Sequence, residues 1–116
     1  MNSPLLGITM GDPAGVGPEI IAKSFKLQGK TFPQCVIFGS PEIIINEFKK
    51  VNFSTPIHVI NSLDKIKTMP LDKGILLYQA TEIPKKIPIG RVDGQCGSAA
   101  YDAIVTAINA ANLGYV

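Results

Sequence analysis

Gly11-Asp12-Pro13-Ala14-Gly15-Val16-Gly17-Pro18-Glu19 decides how the chain is read. An apolar run, Leu5 to Met10, comes before it, with the length of a short buried strand. A helical pattern comes after it. Asp12 precedes a proline and is pushed toward extended geometry. Gly11, Gly15 and Gly17 admit positive φ or close backbone approach. Gly17 is an acceptable N-cap, Pro18 suits the first helical position, and Glu19 complements the positive helix end. The stretch is a strand-to-helix turn, and the remaining sequence reads as an α/β scaffold behind it.

Working outward, Pro18 to about Leu27 predicts a helix with Ile20, Ile21 and Phe25 at helical spacing and Lys23 and Lys26 toward water. Gln34 to Phe38 is a second strand closed by Gly39. Ser40 caps a second helix, with Pro41 at its first position and Glu42 in its first turn. Ile43, Ile44, Ile45 and Phe48 give that helix a wide apolar face, and Lys49 and Lys50 suit its C-terminal end. Pro56 to Ile60 is a third strand. Asn61 or Ser62 caps a short helix through Met69, and Ile75 to Tyr78 is a fourth strand. Thr81 to Gly90, with Pro84 and Pro88, reads as a loop or projecting arm whose Lys85 and Lys86 form a solvated turn.

Gly97 or Ser98 opens the last helix, to about Leu113. Ala100, Ala103, Ile104, Ala107, Ile108 and Ala111 form an apolar stripe on it, with Asp102, Thr106 and Asn109 on another side. Gly114 ends it. The alternation predicts an α/β fold, a mostly parallel sheet with right-handed crossovers and helices on both faces. Tyr115-Val116 would begin another strand, so the sheet is expected to be incomplete in this chain. Residues 1–116 are then the N-terminal part of one α/β domain. The competing expectation is a small compact domain whose last helix simply packs and ends.

The 116 residues and 46% hydrophobic content fit one ordered domain. A net charge of +2, with no basic block interleaved with aromatics, gives no electrostatic footprint for nucleic acid. The N-terminus lacks a charged n-region and a long apolar h-region, and reads as a cytoplasmic start. No apolar run approaches the ~20 residues that span a bilayer. Cys35 and Cys96 match no metal or redox spacing. Cys35, beside Val36 and Ile37, reads as a small buried hydrophobe. Cys96 sits near a helix start, which lowers a thiol pKa, but no base accompanies it. The single histidine, His58, lies in a strand and cannot build a metal site alone.

A glycine-rich strand-to-helix turn suggests a nucleotide site, yet Gly11, Gly15 and Gly17 give neither GxGxxG nor GxxxxGK[ST]. A helix N-terminus attracts anions, but Asp12 and Glu19 bring negative charge to the same place. Neutral hydrogen bonding, for example to a carboxamide, fits better than a phosphate. The position itself favours a site, because open α/β sheets bind ligands beyond the carboxyl ends of their strands.

The run Ile8-Thr9-Met10-Gly11-Asp12-Pro13-Ala14-Gly15-Val16-Gly17-Pro18-Glu19-Ile20 closely resembles the start of the PdxA family, the 4-hydroxythreonine-4-phosphate dehydrogenases. Gly90-Arg91-Val92 through Gly94, Gly97 and Ala99-Ala100-Tyr101 also resembles that family. The Gly-Pro-Glu ending is similar to the wider isocitrate and isopropylmalate dehydrogenase superfamily. The resemblance implies oxidation of the secondary alcohol of 4-phosphooxy-L-threonine by NAD or NADP, then loss of carbon dioxide, in pyridoxal phosphate biosynthesis. It implies a divalent metal (zinc, magnesium or cobalt) acting as Lewis acid. It further implies two-domain homodimers, with the metal ligands and substrate-holding residues beyond the equivalent of Val116.

No catalytic or metal residue is therefore carried onto this chain, and the 116-residue polypeptide alone is expected to be inactive. What carries over is the turn: Asp12, Gly15, Gly17 and Glu19, with Pro13, as cofactor-binding residues at the edge of an interdomain cleft. Asp12 and Glu19 have two readings, contact with cofactor or neighbouring groups, and mere support of backbone N–H groups. Relatives acting on 4-phospho-threonate-type substrates share the same start. A non-catalytic α/β binding module of the same fold is the other functional expectation.

Overall fold

Short runs rich in β-branched and aromatic residues, each followed by a helix, give one parallel sheet. The computed structural model describes residues 5–12, 15–29, 34–68, 74–80 and 94–116, with side chains from residue 98 onward in the last segment. The elements are β1 (Leu6–Thr9), α1 (Gly17–Gln28), β2 (Cys35–Gly39), α2 (Pro41–Lys50), β3 (Ile57–Ile60), α3 (Lys65–Thr68), β4 (Ile75–Gln79) and α4 (Gly94–Asn112). The four strands lie in the order β1-β2-β4-β3. All pairs are parallel, with Ile8 opposite Ile37, Ile37 opposite Leu77, and Val59 opposite Leu77 from the other side.

Two cores separate along the alternation of the strands. Cys35 and Ile37 of β2, with Ile75 and Leu77 of β4, face α1 and α2. Val36 and Phe38 of β2, with Leu76 of β4 and Ile60 of β3, face α3 and α4. Every residue of β2 is buried, which is why its sequence is continuously apolar rather than alternating. Helices thus cover both faces, as the alternation predicts.

The helices also explain the strand order. Steps β1 to β2 and β2 to β3 move one way across the sheet, and α1 and α2 lie on one face. The step β3 to β4 moves back, and α3 lies on the other face. A single crossover handedness requires this exchange of faces.

Three aromatic rings close one end of the α1–α2 core. Phe25 and Phe48 meet edge to face at 5.5 Å, and Phe53 stands 5.6 Å from Phe48. Each buried ring of this kind contributes about 1.5–3 kcal/mol. Cys35 is buried, and burial pushes its thiol up to about 11, so it behaves as the small hydrophobe expected.

Several local expectations are corrected. Ile20 is exposed, and α1 instead buries Pro18, Ile21, Ala22 and Phe25. On α4 the residues facing the sheet are Ala99, Ala103, Ala107 and Ala110, whereas Ile104 and Ile108 are exposed. Alanines let the helix axis approach the sheet, so the bulkier isoleucines are turned to the flank. The helix also begins at Gly94, ahead of the Gly97 or Ser98 start. Only one turn of α3 forms, after overlapping turns in which Lys65, Ile66 and Lys67 donate to Ser62, Leu63 and Asp64 carbonyls. At the end of α4, Gly114 takes φ 83°. Tyr115 N–H donates to Ala110 O and Gly114 N–H to Ala111 O, the paired closure that ends helices at glycine. Tyr115 and Val116 pack on the α4-side core without forming a strand. Pro13, Ala14, the 81–90 segment with Lys85 and Lys86, the Gly90-Arg91-Val92 stretch and the Cys96 side chain lie outside the described residues.

Candidate functional site

The carboxyl end of β1 is tied to that of β2 through Met10. Its N–H donates to Phe38 O at 2.9 Å, and its thioether sulfur accepts the Ser40 N–H at 3.5 Å. Met10 is fully buried, and Gly39 presses on it so closely that a β-carbon at Gly39 would lie 2.6 Å from Met10 Cβ. The chain then turns. Gly11 has φ 77°, with open space where a side chain would be, so only glycine follows this path without strain. Gly15 N–H donates to Asp12 O at 2.9 Å, which closes the turn.

Val16 is the N-cap of α1, not Gly17, because the bend at Val16 already has near-helical backbone angles, φ −94° and ψ −7°. Ile20 N–H donates to Val16 O at 3.0 Å, the first helical bond. Gly17 and Glu19 therefore present first-turn N–H groups, while Pro18 has none.

Asp12, Gly15 and Gly17 are brought together by the turn. Asp12 and Gly15 are exposed, and Gly17 is half-buried against Met10. Glu19 is drawn along the helix instead, with its carboxylate 2.9 Å from Lys23 Nζ on the outer surface. The Lys23 hydrogen bond and charge hold the Glu19 carboxyl below its ordinary range. This pairing offsets part of the negative charge beside the helix end.

One feature of the site was not visible in the pattern of elements. β2 connects through α2 on one face, and β4 is followed by α4 on the opposite face. The adjacent pair β2 and β4 is therefore a topological switch point, where open sheets form a ligand crevice. Ser40 and Gln79 stand at its mouth, and Ala80 N–H donates to Gly39 O at 3.0 Å. The only hints in the sequence are Gly39 and the Ser40-Pro41 cap, since strand order is a tertiary property. Ser40 is buried, and its hydroxyl makes no capping bond to α2.

Among the described residues, no group of three His, Cys, Asp or Glu side chains could hold a metal, so a metal has no ligand set within them. A β-carbon at Gly11 would meet nothing within 4 Å among the described residues, and Gly15 is exposed, so this side of the turn is open. No helix among the described residues is long and apolar enough to cross a membrane. An open groove of about 620 Å³, lined by Phe48, Asn52, Phe53 and Ile57, lies at the opposite, amino-terminal end of β3, away from this turn.

A 4-hydroxythreonine-4-phosphate dehydrogenase from Beijerinckia indica is 35% identical over 112 residues, covering 96% of this chain and 32% of that protein. The chain thus resembles proteins named 4-hydroxythreonine-4-phosphate dehydrogenase. A Clostridium botulinum protein provisionally named D-threonate 4-phosphate dehydrogenase is 30% identical over 97% of the chain and 34% of its own length. The chain spans about a third of the length of the curated relatives it matches.

Solved structures agree. A 4-hydroxythreonine-4-phosphate dehydrogenase from Burkholderia phymatum superposes with a TM-score of 0.80 at 26% identity, over all of this chain and 35% of that one. The Klebsiella pneumoniae enzyme of the same name gives 0.70 at 27%, over 98% and 34%. A terephthalate dihydrodiol dehydrogenase from Burkholderia xenovorans, at 21% identity and a TM-score of 0.74, shares the fold. No family model matches the sequence.

Proposed function

We propose that residues 1–116 are the N-terminal part of one α/β domain of an NAD- or NADP-dependent dehydrogenase. It oxidises the secondary alcohol of 4-phosphooxy-L-threonine, whose keto product then loses carbon dioxide, in the route to pyridoxal phosphate. The observation that carries this reading is the 35% identity to the Beijerinckia indica dehydrogenase across 96% of the chain. The Clostridium botulinum relative supports the alternative substrate, a 4-phospho-threonate.

In this reading the enzyme works as a cytoplasmic homodimer, with a divalent metal held by residues outside this chain. The cofactor supplies the hydride acceptor. Asp12, Gly15, Gly17 and Glu19 form one lip of the cleft and act by position. Gly11 and Gly15 keep side chains out of the approach, and the Gly17 and Glu19 N–H groups orient a neutral hydrogen-bond acceptor such as a carboxamide oxygen. None of these four residues is given a proton-transfer role, and the 116-residue chain alone is expected to be inactive.

The test replaces the matched third of the Beijerinckia indica dehydrogenase by residues 1–116. NADH or NADPH formation is then followed with 4-phosphooxy-L-threonine and with 4-phospho-D-threonate. Turnover by the hybrid and none by the 116-residue chain is expected. A folded hybrid inert with both substrates, or turnover by the short chain alone, overturns the reading.

A further inference from the structure

α2 packs against α1 and β4, and β3 lies one strand further out. By register Ile57 stands beside Ile75 and Val59 beside Leu77, on the face that α1 and α2 cover. Val59 is nonetheless 45% exposed. The helix stops short of the edge strand, and the step between them is the groove of about 620 Å³ at the start of β3. That size falls among the clefts of about 300–1,000 Å³ that hold small ligands.

The end of α2 fixes the wall of this groove. Asn52 takes φ 56°, a left-handed conformation that asparagine tolerates. Asn52 N–H donates to Lys49 O and Phe53 N–H to Phe48 O, both at 3.1 Å, the reciprocal closure of a helix at a left-handed residue. The closure folds Phe53 back until its ring stands 5.6 Å from that of Phe48. Ile45, Phe53 and Ile57 are half-buried along the groove, with buried Phe48 behind them. Backbone hydrogen bonds thus set an apolar, aromatic floor in place.

The charge around this floor is one-sided. Lys50 is taken up by Glu47, 3.1 Å away, and Lys26 Nζ donates to Asn52 O at 3.3 Å. Lys49 lines the groove and is exposed, and its ammonium has no partner among the described residues. The closure that places Phe53 also occupies the Phe48 and Lys49 carbonyls. Lys26 occupies that of Asn52. Acceptors that would make a helix C-terminus repel an anion are therefore partly withdrawn. An uncompensated cation beside an aromatic floor matches an anionic head on a flat apolar body. Inorganic phosphate would meet the cation and leave the floor wet, whereas a neutral ring would leave Lys49 without a counter-charge.

We propose that this groove binds a small aromatic carboxylate, with the ring over Phe53 and Ile57 and the carboxylate toward Lys49 Nζ. The site is built from α2, β3 and the turn between them, and it does not depend on the dehydrogenase reading.

Amide chemical shifts of the 116-residue chain, titrated with 2-naphthoate and with the neutral naphthalene-2-carboxamide, test it. The carboxylate is expected to move the Asn52, Phe53 and Ile57 amides saturably while the Gly11 and Gly15 amides stay still. It should bind about two- to fivefold more tightly than the carboxamide, the strength of one exposed ion pair. Lys49→Gln should erase that preference while leaving carboxamide binding and the melting temperature unchanged. Ser54→Trp, at an exposed position on the groove, should fill it and abolish binding of both compounds. The proposal is overturned if the groove amides show no saturable shift up to the solubility limit, or if the shifts fall on the Gly11–Gly17 turn instead. Equal binding of the two compounds by the native chain, a preference that survives Lys49→Gln, or binding that survives Ser54→Trp overturns it as well. So do ligand-free shifts of the same amides that move with protein concentration, because a second copy then occupies the groove.

Discussion

The Cα of Gly17 rests against the carbonyl oxygen of Met10, so that a β-carbon at Gly17 would stand 2.3 Å from that oxygen. The first turn of α1 and the last residue of the β1 run are therefore in backbone contact, and the turn between them has no slack. Gly17→Ala should cost about 2–3 kcal/mol, because backbone rather than a flexible side chain must move. Gly11→Ala meets open space and suffers only its positive φ, about 1–2 kcal/mol. Urea denaturation of the two variants checks the order.

Phe48 is the hub of the aromatic group on the α1–α2 face and is 1% exposed. Phe48→Ala should lose about 3–5 kcal/mol. Ile104→Ala, on the exposed flank of α4, should stay within about 0.5 kcal/mol in the 116-residue chain. Thermal melts followed by circular dichroism distinguish the two, and a large loss at Ile104 would mean that the helix is rotated from the orientation described.

Burial pushes the Cys35 thiol up from its ordinary range to about 11. The folded state favours the neutral thiol, so this contribution to stability is complete below about pH 9 and is lost as pH rises toward 11. Denaturant midpoints should fall over that window, and Cys35→Val should flatten the fall. Iodoacetamide at pH 8 should leave Cys35 unmodified in the folded chain and label it once urea unfolds the protein.

Glu19 is exposed, and its carboxyl is held low first by the hydrogen bond from Lys23 and then by its charge. A lowered carboxyl pKa stabilises the folded state above the unfolded pKa, and the effect is lost as pH falls through the folded one. Lys23→Met should return the Glu19 titration, followed by carboxyl carbon NMR shifts, toward its ordinary value. Raised salt should move the native protein in the same direction.

The alternation of elements and the two-sided covering of the sheet were legible because strands such as Cys35–Gly39 and Ile75–Gln79 are apolar runs punctuated by glycine, proline and caps. The turn after β1 was legible for the same reason, down to its place at a strand's carboxyl end. Helix orientation was less so. Ile20 and Ile21 are adjacent and chemically alike, and only the position of Met10 and Phe48 decides which one turns inward. On α4 the alanine and isoleucine flanks overlap in angle, and close approach to β1 and β2 selects the alanines. The β2–β4 crevice was invisible, since it depends on β4 inserting beside β2, a pairing between segments distant in sequence.

That insertion also sets an order of assembly. Among the described residues, β3 pairs with β4 alone, so within them Ile57–Ile60 has no strand neighbour until Ile75–Gln79 has been made. During synthesis on a ribosome, β1, α1, β2 and α2 can condense as each emerges, while β3 must wait as an unzipped segment for a strand translated after it.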